Sequence, residues 1–341
     1  MSILDSLDQC GSDRLFWFTD RPSGLRAVIC VDDLTLGPAA GGVRTRSYAT
    51  EQDALEDVCA LAQAMTRKCA LAGLAAGGAK ALVLEDKLTN RSAAFMRLGG
   101  FIEELGGMFR TAGDLGTTTQ DLEAMATTTQ YVHTDTSHLA GSVARTTLRS
   151  MEAALEVLGE TGLRGKKVLV QGCGDMGEAV AKALVAAGAE VLLSDLLAER
   201  SAEVAKDLGV QAIRSEDLFQ VEADVFAPCA VGGVIDDALA RTLKVRTVCG
   251  AANNVLAEDE AGETLMERGI ILVPDVLSSS GAVIDGIGRS VMGLSDRGDL
   301  LNEIRDTTFV ILKMAQDENI PPHRVAMDVA DARLARAKEK K

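Results

Sequence analysis

Apolar residues fall at helical spacing over residues 50–68, where Ala54, Leu55, Val58, Leu61, Ala62 and Met65 line one face of an amphipathic helix. Thr50 ahead of Glu51 and Asp53 suits the start of that helix, because carboxylates there meet the positive end of its dipole. Upstream, LRAVICVDD at 25–33 is an apolar run of strand length. Downstream, the glycine-rich bend AGLAAGG leads into a second such run, AKALVLED. Helical patterns at 91–105 and 118–127 flank a short strand ending near TAGD. Residues 1–140 therefore form a mixed α/β domain.

A long helical pattern at 141–158, closed by Gly159, joins this domain to a different rhythm. KKVLVQG, AEVLLSD, ADVFAP, VRTVCG and IILVPD are short apolar runs of strand length. Helical segments fall between them, among them EAVAKALVAAG, closed by Gly188, and AERSAEVAKDLG. Strands alternating with helices indicate βαβ units on a parallel sheet. The expected second domain spans 141–320. The tail after Gly298 is helical apart from a break at IPPH, and its last segment, 321–341, is expected to pack back on the first domain.

Within the second series, Gly172-Cys173-Gly174-Asp175-Met176-Gly177 matches GxGxxG. Alone the match is weak, but here it follows a strand and opens a helix. Gly172 permits the tight turn, Gly174 lets backbone approach a pyrophosphate, and Gly177 lets helix and strand pack closely. The helix N-terminus, with Asp175 and Met176 in its first turn, then offers unpaired N–H groups to phosphates. Asp195 lies 18 residues beyond Gly177, close to the ~20-residue interval of an acid that accepts from ribose hydroxyls. A carboxylate there repels the extra phosphate of NADP, so NAD is the expected cofactor and the domain a doubly wound, Rossmann-type one. A glycine-rich βα turn without a ligand is the bland alternative.

The chain's 341 residues, 47% of them hydrophobic, allow two cores, since single cores stop growing at roughly 250–300 residues. The net charge of −15 argues against nucleic-acid binding, which needs a clustered cationic face. Seven cysteines without CxxC or CxxH spacing suggest reduced thiols. With no cationic start followed by an apolar run, and no apolar stretch of roughly 18 residues, the expectation is a cytoplasmic protein without a membrane span. Only His133, His138 and His323 are available for metal or imidazole chemistry, so no metal site is expected.

Candidate chemistry centres on Met65-Thr66-Arg67-Lys68 and Gly77-Gly78-Ala79-Lys80. Two lysines flanking a glycine-lined turn could share a cleft. One would bind a carboxylate, and the other, desolvated beside a like charge, would have its pKa lowered toward base chemistry. Asp114 could supply a proton relay. From the residues alone, two surface lysines and a turn aspartate are the simpler reading.

LGPAAGGVRTR at 36–46, MTRKCALAGLAAGGAK at 65–80, TAGDLGTT at 111–118, VQGCGDMG at 170–177 and FAPCAVGG at 226–233 together resemble the leucine/phenylalanine/valine dehydrogenase family. GAANNVL at 250–256 and PDV at 274–276 fit it too, and the similarity is collinear over nearly the whole chain. The resemblance implies that Lys68 holds the substrate carboxylate, Lys80 is the general base and Asp114 assists proton transfer. It also implies that Gly41 and Gly42 frame the substrate, that Asn254 lies near the nicotinamide and that Ala230 lines the cofactor. The implied reaction takes an amino acid, NAD⁺ and water to a 2-oxo acid, ammonia and NADH, in a homo-oligomer whose domains close over the substrate.

Three positions depart from the family pattern. Ser279-Ser280-Gly281-Ala282 replaces Asn-Ala-Gly-Gly, Val143 stands where a threonine is expected beside Ser142, and Gly113 replaces an acid. Each removes hydrogen-bonding capacity, worth ~1.5–3 kcal/mol for a charged partner. Of the pocket positions, Ala112 and Val283 are ordinary, whereas Ala40 and Gly286 are smaller than in leucine-preferring members, which implies tolerance of bulky or aromatic substrates. A biosynthetic reductase on the same scaffold, acting on an unusual oxo acid or imine, and a catalytically weak NAD-binding protein are the alternatives.

Overall fold

The computed structural model describes residues 11–340, and the elements below are those of these residues. The first elements are β1 (Arg14–Asp20), β2 (Leu25–Asp33), β3 (Ala39–Arg46), α1 (Glu51–Leu71), β4 (Gly77–Leu84), α2 (Arg91–Glu104), β5 (Phe109–Gly113) and α3 (Thr119–Ala126). The chain is made of two compact units. One comprises residues up to Thr136 with Gly286–Ser295 and the stretch from Asp331, the other Ser137–Asp285 with Asp296–Ala330.

The first unit is built on a mixed sheet of order β1-β2-β4-β3-β5. β4 runs antiparallel to β2 and parallel to β3, which is in turn parallel to β5. Alternation along β4 decides what each face carries. Ala79, Ala81 and Val83 point into a core with Phe95, Leu98 and Ile102. Leu82 points the other way and packs with Ala54, Leu55, Val58, Cys59 and Ala62 of α1. The expected start of α1 is a full capping box, with Thr50 and Asp53 each accepting from the other's backbone N–H. At its other end Arg333 donates to the carbonyls of Ala70 and Leu71 at 3.0 and 2.8 Å, closing orphan groups of the last turn. Lys338 pairs with Asp33 at 3.0 Å and Arg67 with Asp331 at 3.2 Å, so the end of the chain is held on this unit.

The second unit contains α4 (Leu139–Val157), β6 (Lys167–Gln171), α5 (Asp175–Ala186), β7 (Glu190–Ser194), α6 (Ala198–Leu208), β8 (Gln211–Ala212), β9 (Val225–Pro228), α7 (Asp237–Thr242), β10 (Thr247–Val248), α8 (Asp259–Glu267), β11 (Ile271–Leu272) and α9 (Asp275–Ser278). Three helices complete the chain, α10 (Gly281–Ser290), α11 (Gly298–Glu318) and α12 (Pro322–Lys338). The sheet is parallel throughout, in the order β11-β10-β9-β6-β7-β8. That is the doubly wound Rossmann order, with the direction of winding reversing between β6 and β9. Val168, Val170 and Leu193 pack with Met151 and Leu155 of α4 and Val180 and Leu184 of α5. Leu169, Phe226 and Val248 face the opposite layer, with Ala240 of α7 and Leu265 of α8.

One expectation is corrected. Cys30, Cys69, Cys173, Cys229 and Cys249 are free and buried, but Cys59 is disulfide-bonded. Pairing depends on how close two Cβ atoms come in the fold, which linear spacing does not report. Cys10 lies outside the described residues. Among those residues no helix is long and apolar enough to cross a membrane.

Candidate active site

The α1 face of the first sheet carries a row of residues with little or no side chain around one lysine. Gly78, Lys80 and Leu82 alternate along β4 toward that face. The parallel register that sets Ala40 beside Gly78 and Val43 beside Ala81 brings Gly42 level with Lys80, and Gly42 in turn pairs with Ala112 on β5. Lys80, only 7% exposed, reaches across the glycine, and its Nζ lies 2.6 Å from Asp114 Oδ2, just past the end of β5. A Cβ on Gly42 would stand 2.9 Å from the Cβ of Asp114, so the bare strand is what leaves room for the pair. Gly41 is pinned differently. Its carbonyl accepts from Thr111 Oγ1 at 2.9 Å, and a Cβ there would meet the Ala79 carbonyl oxygen at 1.7 Å.

Asp114 has a second cationic neighbour that sequence reasoning missed. Arg44 Nε lies 3.2 Å from the same Oδ2, and Arg44 Nη1 bonds both oxygens of Asp57 on α1 at 3.2 and 3.1 Å. Tyr48 donates its hydroxyl to Asp57. Burial works to raise the Asp114 carboxyl, but the Lys80 ammonium and the Arg44 guanidinium outweigh it and hold the group below its ordinary value. The LGPAAGGVRTR motif contained Arg44, but its partners, 13 and 70 residues away, are set by the fold.

Lys68 sits half-buried in the last turn of α1, two residues after Thr66. Thr66 is the residue on which Gly78 rests, for a Cβ on Gly78 would lie 2.1 Å from Thr66 N and 2.6 Å from Ala62 O. The glycine thus draws the lysine-bearing turn of α1 onto the strand that carries Lys80. Gly78→Ala is expected to force the two apart. Overpacking against rigid backbone costs ~1–3 kcal/mol, or more where neighbours cannot shift. Urea unfolding should show a loss in that range, and an unchanged midpoint would refute the close packing.

Ala40 is buried in β3, and Ala112 is half-buried. Gly286 belongs to the same unit, in a segment tied down by Arg110 Nη1 to Ser290 O at 3.3 Å and by Arg289 to Asp135 at 3.0 Å. A Cβ on Gly286 would meet nothing within 4 Å, so there is free space beside it. Val283 falls in the second unit. Of the departures, Gly113 is exposed and would give a Cβ an ordinary contact with Leu122. Ser279 Oγ lies 2.6 Å from Asp275 O and 2.9 Å from Asn253 Oδ1. Gly281 lies against the start of α4, where a Cβ would be 2.0 Å from Ser142 O and 2.5 Å from Val143 N.

The glycine motif occupies the turn between β6 and α5. Gly172 adopts φ +95°, and a Cβ on it would strike Ala230 at 2.7 Å, so the Ala230 loop packs on the first glycine. A Cβ on Gly177 would be 1.9 Å from Gly172 O. Gly174 is the N-cap of α5 with no side-chain cap, and a Cβ there would meet open space. Exposed Gly174 and Asp175 therefore leave the N–H groups of the first turn facing a cradle that fits a pyrophosphate. Asp195 accepts from Cys173 N at 2.7 Å and Leu197 N at 2.9 Å, which fixes the carboxylate beside that turn. Arg200 donates Nε to Cys173 O at 3.0 Å and is also paired with Glu178 and Glu203. Asn254 holds a left-handed φ of 53°, with its N–H donated to Asp275.

Residues 16–131 match the family model described as Glu/Leu/Phe/Val dehydrogenase, dimerisation domain, and residues 193–287 match Glutamate/Leucine/Phenylalanine/Valine dehydrogenase. Leucine dehydrogenase of Thermoactinomyces intermedius is 35% identical, with 98% of this chain and 94% of the relative covered. Phenylalanine dehydrogenase of Lysinibacillus sphaericus is 36% identical over 80% of this chain and 75% of its own length. The crystal structure of L-tryptophan dehydrogenase from Nostoc punctiforme superposes with a TM-score of 0.88 at 26% identity, covering 99% of this chain and 100% of that one.

Proposed function

The chain belongs to the Glu/Leu/Phe/Val dehydrogenase family and is an oxidoreductase acting on amino acids; from that premise we propose that it oxidatively deaminates an L-amino acid with a bulky or aromatic side chain, using NAD⁺ and releasing a 2-oxo acid and ammonia. The observation that carries this reading is the pairing of buried Lys80 with half-buried Asp114, 2.6 Å apart beside the bare glycine of β3.

Lys68 binds the substrate carboxylate as a point charge, which orients Cα. NAD⁺, held by the first turn of α5, supplies the hydride acceptor when bound. Lys80, in its neutral form, takes a proton from the water that adds to the imine carbon. Asp114 passes protons to and from the substrate nitrogen, so that the carbinolamine collapses to ammonia and oxo acid. Preference for NAD over NADP follows from the Asp195 carboxylate, which repels a 2′-phosphate, and from Arg200, whose donors are already taken up by Cys173 O, Glu178 and Glu203. The match to a dimerisation domain supports a homo-oligomer.

Small residues at Ala40 and Gly286, with free space beside Gly286, support the side-chain preference. So do the relatives named for phenylalanine and tryptophan. One methylene in such a pocket is worth ~1–3 kcal/mol of discrimination. Steady-state rates across the twenty common amino acids, with NAD⁺ and with NADP⁺, test all of this. Phenylalanine or tryptophan should exceed valine in kcat/KM by about tenfold or more, with NAD⁺ preferred. Valine turned over much faster than either aromatic would overturn the preference. Binding of the dinucleotide without activity on any amino acid would favour a reductase of a different oxo acid or imine.

A further inference from the structure

The reaction above gives no task to the second cation beside Asp114, the half-buried Arg44. Arg44, two residues beyond Gly42 on β3, approaches the same Asp114 oxygen as Lys80 does, at 3.2 Å against 2.6 Å. On its other side it is gripped by both oxygens of Asp57, which Tyr48 also bonds. A guanidinium cannot lose its proton in a protein, so this cation stays while an ammonium beside it titrates.

We propose that Arg44 is a positioning residue for the dehydrogenase reaction: anchored by Asp57, it fixes Asp114 beside Lys80 and keeps that carboxylate ionised while Lys80 is uncharged. The inference rests on the reading of Lys80 as base and Asp114 as proton relay.

The argument is electrostatic. A base acts only in its neutral form, and when Lys80 is neutral Asp114 loses the cation nearest to it. A carboxylate three-quarters shielded from water and left without a partner is pushed toward its protonated form, in which it is the poorer acceptor. Arg44 supplies the missing positive charge. The same charge also weakens the hold of Asp114 on the Lys80 proton, because one oxygen then serves two cations. A positive charge beside a carboxylate–ammonium pair favours loss of the ammonium proton, relative to the same pair without that charge. Titratable groups on the neighbouring elements are Lys68 and Arg67 on α1, Cys30 and Asp32 on β2, and Tyr48 with Arg46 over its ring. Cys30 is the register partner of Lys80, with its thiol pushed up to about 11 by burial. Asp32 accepts from Thr66 Oγ1 at 2.5 Å. All of these are unchanged in the variants below, so a shift between variants reports on Arg44 and Asp57.

The test is the pH dependence of kcat/KM in wild type, Arg44→Met, Arg44→Lys and Asp57→Asn. Lys80→Ala runs in parallel, and every variant is checked for dinucleotide binding and by thermal melting. Arg44→Met should move the acid limb to higher pH by about one unit or more and lower kcat at least tenfold, with dinucleotide affinity unaltered. Arg44→Lys keeps the charge but not the two-sided bridge, so its limb should stay near wild type while kcat falls by a smaller factor. Asp57→Asn should likewise keep the limb and lose rate. A wild-type limb in Arg44→Met overturns the proposal. Should that variant fail to fold, Arg44→Lys decides, since a displaced limb despite the retained charge, or full wild-type kcat without the bridge, overturns it equally. Lys80→Ala retaining its rate would refute the base assignment and the inference with it. Lys80→Ala inactive beside an unshifted Arg44→Met refutes the inference alone.

Discussion

Lys80→Ala is expected to lower turnover by about 10³-fold or more while leaving dinucleotide binding unchanged. The magnitude follows from the role. A positioned general base contributes roughly 10²–10⁴-fold, and the carboxylate left beside the gap, Asp114, is held below its ordinary value and is the weaker base. Binding should survive because Lys80 belongs to the first sheet, whereas Gly172, Gly174, Gly177 and Asp195 lie around the β6–α5 turn of the second unit. Steady-state kinetics and a fluorescence titration with NADH separate the two effects. A variant that kept its rate would refute the base assignment, and one that lost both rate and dinucleotide affinity would point to damage beyond the site.

Asp114→Asn should cost both rate and stability, and the second loss should depend on pH. The substitution keeps the shape but leaves Lys80 and Arg44 facing a neutral amide. Removing one partner from a fully buried ion pair costs ~3–5 kcal/mol; with the Asp114 side chain a quarter exposed, a loss of about 1–3 kcal/mol is expected, with kcat down roughly 10²-fold. The sign of the pH dependence follows from a folded-state pKa lowered below its unfolded value. Stability from such a group is fully present above the unfolded carboxylate range of roughly pH 4 and is lost as pH falls through the lowered folded value. Urea unfolding of the two proteins should therefore differ by a constant amount at neutral pH and converge in acid. A gap that widened on acidification would contradict the charge assignment.

How far the fold was legible depended on whether local signals agreed. α1 was plain, since its apolar stripe and its Thr50 cap pointed the same way, and β2, β4, β6 and β7 each carry a short apolar run of strand length. β3 escaped because Ala39-Ala40-Gly41-Gly42 offers nothing to alternate, although the absence of side chains is what the site requires there. β1 and the helices α7 to α10 also escaped. The helices are short, and their packing against a neighbouring layer comes from the tertiary fold rather than from a long local stripe. At the site, Lys80 and Asp114 were found through their motifs. The pairing of Arg44 with Asp57 and Asp114 was not, because it joins three separate elements. Asp195 was legible from its spacing, but its bonds to the backbone of Cys173 and Leu197 belong to the fold alone.

The role of Lys80 as proton acceptor can be tested most directly by supplying the missing amine from solution. Turnover of Lys80→Ala, measured with a series of small primary amines at fixed free-base concentration, should rise with amine concentration and increase with amine basicity. Rescue that is independent of basicity across amines of similar size would contradict a base at this position.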